Sequence, residues 1–134
     1  MSDLEEDPRT EARERALGLL YEADAKGVGV RDVLGLLLVE PDPLAVLLAE
    51  GVGDERVKIE NLITKFLRDW TIDRIPIIDR LVLSIATFEL LARADTPTAV
   101  IIDEAVELAK RYSTDESSAF VNGVLSSIAA EIRT

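Results

Sequence analysis

The sequence predicts an all-α fold, a compact bundle of six or seven helices in two small sub-bundles. Three observations carry the helical reading. Apolar residues recur at spacings of three and four along almost the whole chain, the period of one helix face. Helix-start pairs punctuate them at Asp7–Pro8, Asp42–Pro43 and Thr96–Pro97, where the first residue offers an N-cap and the proline a pre-set first turn. Finally, 134 residues with 48% apolar content can bury roughly two thirds of the unfolded surface, enough for one domain without a metal or disulfide staple.

Taken in order, Ala16, Leu19, Leu20 and Ala23 define a first helix ending near Gly27. A short second helix is expected from Val30 to Val39. Pro41-Asp42-Pro43 breaks the chain, and the period restarts at Leu44, Leu47 and Leu48 and continues through Val57, Leu62, Ile63, Phe66 and Leu67. Gly51 and Gly53 are expected to bend or split that element, since glycine costs about 1 kcal/mol relative to alanine inside a helix. Pro76 opens the next helix, striped by Ile78, Leu81, Val82, Ile85, Phe88 and Leu91. Thr96 is expected to cap a helix starting at Pro97 and carrying Val100, Ile101, Ala105, Leu108 and Ala109. Ser113-x-x-Glu116 fits a capping box before a last stripe of Phe120, Val121, Val124, Leu125 and Ile128. Residues 1–8 form an acidic leader that composition predicts to be disordered, and residues 9–134 form one helical domain.

Composition also removes function classes. The chain has no His and no Cys, so it lacks an imidazole base, a thiolate nucleophile and the ligands of a zinc finger or iron–sulfur site. Asp103, Glu104 and Glu107 are the densest carboxylates on an expected helix, but a di-metal bundle needs Glu-x-x-His pairs. A solvated face is the better reading, with Glu107 three and four residues before Lys110 and Arg111. Gly27-Val28-Gly29 and Gly51-Val52-Gly53 lack the Lys-Ser/Thr of a phosphate loop. Ser113, Thr114, Ser117 and Ser118 have no base to activate them. No catalysis, metal or cofactor is expected. The N-terminus resembles no signal peptide and no apolar run approaches the roughly 20 residues of a membrane span, which leaves the cytoplasm as the residual location.

The 26 acids and 15 bases give a formal charge of −11, which opposes a polyanion at long range. Two segments nevertheless stand out. Arg9, Arg13 and Arg15 concentrate positive charge on the first helix, with Arg9 and Arg13 four apart on one face. Glu11 and Glu14 lie among them, so a salt-bridged surface helix with a Glu11–Arg15 pair is the competing reading. In Phe120-Val121-Asn122-Gly123-Val124-Leu125 a polar Asn and a Gly interrupt an apolar stripe. Close helix contact and ligand binding both explain such an interruption.

These segments resemble the NusB family of bacterial transcription antitermination factors. The resemblance rests on Asp103-Glu104-Ala105-Val106-Glu107-Leu108-Ala109-Lys110 followed by Phe120-Val121-Asn122-Gly123-Val124-Leu125. Arg13-Glu14-Arg15-Ala16-Leu17, Tyr21-Glu22-Ala23, Asp79-Arg80-Leu81-Val82-Leu83 and Phe88-Glu89-Leu90 support it, and it spans roughly Arg9 to Ile132. It implies a subunit that pairs with ribosomal protein NusE, binds the boxA element of nascent RNA and thereby serves the RNA polymerase antitermination complex. A related domain is attached to rRNA cytosine methyltransferases, which would require a downstream catalytic domain. Position by position, the resemblance implies that Leu17, Tyr21, Glu22 and Asp79 meet the protein partner. It places Arg9, Arg13, Glu116, Ser117, Phe120 and Asn122 at RNA, with Thr98, Ala99 and Ala119 at further RNA-facing positions. The family's leader is usually basic, whereas this one reads Asp3-Leu4-Glu5-Glu6-Asp7, and Thr98-Ala99 and Ala119 replace aromatic or Lys residues. RNA binding is therefore expected to be weak alone and stronger with the partner. A paralogue acting as a protein-interaction or homodimer module is the alternative.

Overall fold

The computed structural model describes residues 7–133; of the leader expected to be disordered over residues 1–8, residues 1–6 lie outside the described residues, whereas Asp7 and Pro8 are the cap and first residue of a helix. Seven α-helices follow one another: α1 (Pro8–Lys26), α2 (Val30–Gly35), α3 (Pro43–Asp54), α4 (Arg56–Lys65), α5 (Ile77–Ala92), α6 (Thr98–Tyr112) and α7 (Asp115–Ile132). A single 3-10 turn, Ile72–Arg74, lies between α4 and α5, and no strand occurs among the described residues.

Most boundaries follow from local chemistry. The Asp7 carboxylate accepts from the Arg9 N–H and caps α1, with Pro8 in its first turn. Asp42 does the same for α3, accepting from Leu44 ahead of Pro43. Gly27 closes α1 at φ +65, the left-handed conformation that a glycine adopts without a Cβ penalty. The element after Pro43 splits at Glu55, just beyond Gly51 and Gly53.

Three local expectations are corrected. The second helix stops at Gly35 rather than Val39, and Leu36, Leu38 and Val39 are exposed. No core surface reaches them, so periodicity alone does not hold a helix there. Thr96 does not cap α6; it is buried, its N–H donates to the Arg93 carbonyl, and Pro97 takes the cap position. The last helix is capped one residue later than the Ser113 box predicts. Thr114 adopts the extended cap conformation and accepts from the Ser117 N–H at 3.1 Å, putting Ser117 where Glu116 was expected.

α5 organises the core, packing against α1, α3, α4, α6 and α7. Its residues 81–90 are all buried, as expected of a helix enclosed on every side. α1–α3 pack on one another, with α1 and α3 also on α5, while α6 and α7 pack on each other and on α5, so both sub-bundles share one central helix. Arg133 fastens the end of α7 to the end of α5. Its guanidinium donates to the Leu90 carbonyl (3.0 Å), which the end of α5 otherwise leaves unpaired, and to the carbonyls of Arg93 (2.9 Å) and Thr96 (2.7 Å) in the connection to α6.

Candidate nucleic-acid interface

The two arginines proposed for phosphate contact have different fates. Arg9 is exposed at the start of α1, where its side chain donates to the Asp7 carboxylate at 3.2 Å. That hydrogen bond is the main reason the Arg9 pKa lies above, and the Asp7 pKa below, its ordinary value. Arg13 is 2% exposed. Its guanidinium holds Glu89 of α5 through two 2.8 Å bonds and Glu104 of α6 through a third at 3.1 Å. Thr10 also donates to Glu104, at 2.5 Å, and Arg93 donates to Glu89, at 2.8 Å. Burial opposes the charge on Arg13, but the hydrogen bonds and fields of Glu89 and Glu104 outweigh it and raise its pKa. The sequence expectation for Arg13 is corrected accordingly: it is buried, and all three of its guanidinium nitrogens donate in tying α1 to α5 and α6. Four residues of spacing put it on the face of Arg9, yet rotation around the helix turns it inward. The alternative Glu11–Arg15 pair does not form among the described residues, and Glu14 instead pairs with Arg111 and accepts from the Tyr112 hydroxyl.

The positions assigned to the protein partner divide similarly. Tyr21 is 45% exposed on α1, and Glu22 pairs with Lys26 at 2.8 Å. Leu17 points into the core, because the face it shares with Leu20 and Ala16 packs inward. It offers a partner no surface. Asp79, near the start of α5, is buried as well. Ser117 donates to its Oδ2 at 2.8 Å, while its Oδ1 has no hydrogen-bond partner. Ser117 is therefore a buried link between α7 and α5 rather than an exposed RNA contact.

Beside that link, Glu116 and Asn122 are exposed on α7 and Phe120 is half-buried. A cavity of about 350 Å³ gathers Asp79, Glu116, Ser117 and Phe120 with Arg74 and Trp70. The geometry thus brings Asp79 together with the α7 set, while Arg9, Arg13 and Tyr21 line no part of that cavity. Trp70 was missed by sequence reasoning. It is the chain's only tryptophan, 58% exposed in an irregular stretch between α4 and α5, where no helical period marks a face. Its only sequence signal is a large aromatic set among charged residues in Arg68-Asp69-Trp70.

An all-helical domain in which exposed Trp70 and half-buried Phe120 border one cavity beside the start of the last helix defines a class of binding module. Comparison with known proteins makes the class specific. The NusB family profile matches residues 10–130, and the chain belongs to the NusB family. It is 43% identical over 125 residues to the transcription antitermination protein NusB of Kineococcus radiotolerans, covering 90% of this chain and 92% of that protein. Among solved structures it resembles NusB of T. maritima at 34% identity, covering 95% of this chain and 94% of the other with a TM-score of 0.85. It also resembles a chain in the complex of antitermination factors NusB and NusE with dsRNA, at 26% identity and a TM-score of 0.78, covering 92% and 96% of the two chains.

Proposed function

We propose that this chain is a transcription antitermination subunit that pairs with ribosomal protein NusE and, together with it, binds boxA-type RNA in the cytoplasm. The observation that carries the reading is the match over nearly the whole chain to a fold described in complex with NusE and dsRNA. Half-buried Phe120 with exposed Asn122 and Arg9 supplies the RNA face, and exposed Tyr21 with Glu22 supplies the protein face. With Arg13 buried and a charge of −11, the chain's own affinity for RNA is low and depends on the partner.

The test is a titration of boxA RNA into the chain alone, NusE alone and the mixed pair at several salt concentrations. Weak binding alone, stronger binding by the pair, and a fall in affinity with rising salt are expected. No NusE binding and no RNA binding by the pair would reject the proposal. The loss of Arg13 to the core favours a second reading, a paralogue that only joins proteins. That reading requires NusE binding or self-association with no RNA affinity at any salt.

A further inference from the structure

A second cavity, about 410 Å³, adjoins the first and shares Trp70 and Phe120 with it, so this aromatic pair forms a partition between them. The two sides differ in charge. The first sets the Asp79 and Glu116 carboxylates against the single cation of Arg74, a negative balance that disfavours phosphate. The second is bounded by Arg68 and Asp69 on the turn and by Ala119, Gly123 and Ser127 on α7. Its charged lining balances, and Arg68 is exposed beside the opening.

Two independent observations converge on this second cavity. Trp70 leaves over half of its large apolar surface in water, and the chain reaches it through Asp69 at φ +41, an uncommon conformation for a residue other than glycine. Gly123 lies in the middle of α7, where glycine weakens a helix, and a Cβ added there would meet nothing within 4 Å. The fold therefore gives no reason for a glycine at this position. A flat group packed from outside against the bare helix backbone does.

We propose that the cavity between Trp70 and Gly123 holds an unpaired nucleobase of the bound RNA, stacked on the Trp70 indole beside Phe120, with Arg68 positioned for the adjoining phosphate. Every base has a π-face, so this contact adds affinity without selecting sequence. The proposal rests on the RNA-binding reading above and adds a residue group outside the positions the family resemblance assigned.

The experiment measures the affinity of a labelled single-stranded boxA RNA for the chain–NusE pair, with NusE affinity and melting temperature measured for each variant. Trp70→Ala is expected to weaken RNA binding about tenfold, within the range of base–aromatic stacking, and Trp70→Phe to restore most of it. Gly123→Ala is expected to raise the melting temperature by about 4 °C while weakening RNA binding. Opposite movements of stability and affinity would not arise from a structural role alone. Wild-type RNA affinity in both alanine variants overturns the proposal and leaves the antitermination reading standing. A loss confined to NusE affinity also overturns it, by assigning the cavity to the protein partner. If the wild-type pair binds no RNA, both readings fall.

Discussion

The buried cluster around Arg13 and the exposed face around Trp70 use similar residue types in opposite ways. In the first, two arginines and two glutamates from α1, α5 and α6 satisfy one another, with Glu89 only 1% exposed. In the second, exposed Arg68 and Arg74 border an aromatic pair, while Asp79 keeps one oxygen without a partner. Positive charge on a helix is therefore poor evidence for a polyanion site until its carboxylates have been counted. Unpartnered groups are better evidence. The regular part of the fold consumed its arginine, and the irregular part left its tryptophan in solvent.

The strongest way to break this comparison is Arg13→Ala. Removing one partner of a buried ion pair typically costs about 3–5 kcal/mol, because the remaining charge stays buried without compensation. Glu89 would keep Arg93, and Glu104 would keep Thr10, so the loss belongs toward the lower end. Chemical denaturation should show it plainly. An RNA-binding defect with unchanged stability would mean that Arg13 reaches solvent and that the buried cluster has been misjudged.

Next in size is Gly51→Ala, which sharpens the contrast between two helical glycines. A Cβ at Gly51 would fall 2.2 Å from the Phe88 ring, whereas one at Gly123 meets open space. Phe88 is itself buried, so the ring has little room to withdraw, and overpacking of about 1–3 kcal/mol is expected. Gly18 resembles Gly123: no atom lies near its missing Cβ, and it precedes Tyr21 and Glu22 by three and four residues on α1. A melting temperature unchanged in Gly51→Ala would show that α3 and α5 can separate there. Smaller again is Thr114→Ala, which removes the cap of α7 and should cost about 1 kcal/mol, read as a lower melting temperature. An unchanged melting temperature would show that Ser113 or water replaces the cap.

Helices with a complete stripe and a side-chain cap were legible in the sequence, as α1, α3 and the interior of α5 show. Legibility failed where tertiary structure decides. The end of the Val30–Val39 period, at Leu36, Leu38 and Val39, has no core to face. Arg13 finds Glu89 across 76 residues, a pairing that no local spacing encodes. Within the candidate site, Asn122 is exposed and Phe120 half-buried, but the inward rotation of Leu17, Asp79 and Ser117 depends on how α1, α5 and α7 pack. Trp70 escaped notice because a turn has no period and the walls of its cavities come from separate elements.

The smallest expected effect comes from an exposed counterpart of the Arg13 cluster. Arg31 on α2 grips both oxygens of Asp54 on α3 at 2.7 and 2.9 Å and also reaches Glu50 at 3.0 Å. The Arg31 hydrogen bond holds the Asp54 carboxyl below its ordinary value of 3.8. A depressed folded-state pKa stabilises the fold above the unfolded value and loses that contribution as the pH falls below it. Arg31 remains charged throughout, so Asp54 alone sets the window. The stability difference between wild type and Asp54→Asn should therefore be present near neutral pH and shrink as the solution is acidified below about pH 4. Both partners lie in solvent, so screening keeps the effect small, and added salt should reduce it further. A difference that persists unchanged at low pH would trace it to amide packing rather than charge. A difference as large as that from Arg13→Ala would erase the distinction between the buried and exposed ion pairs.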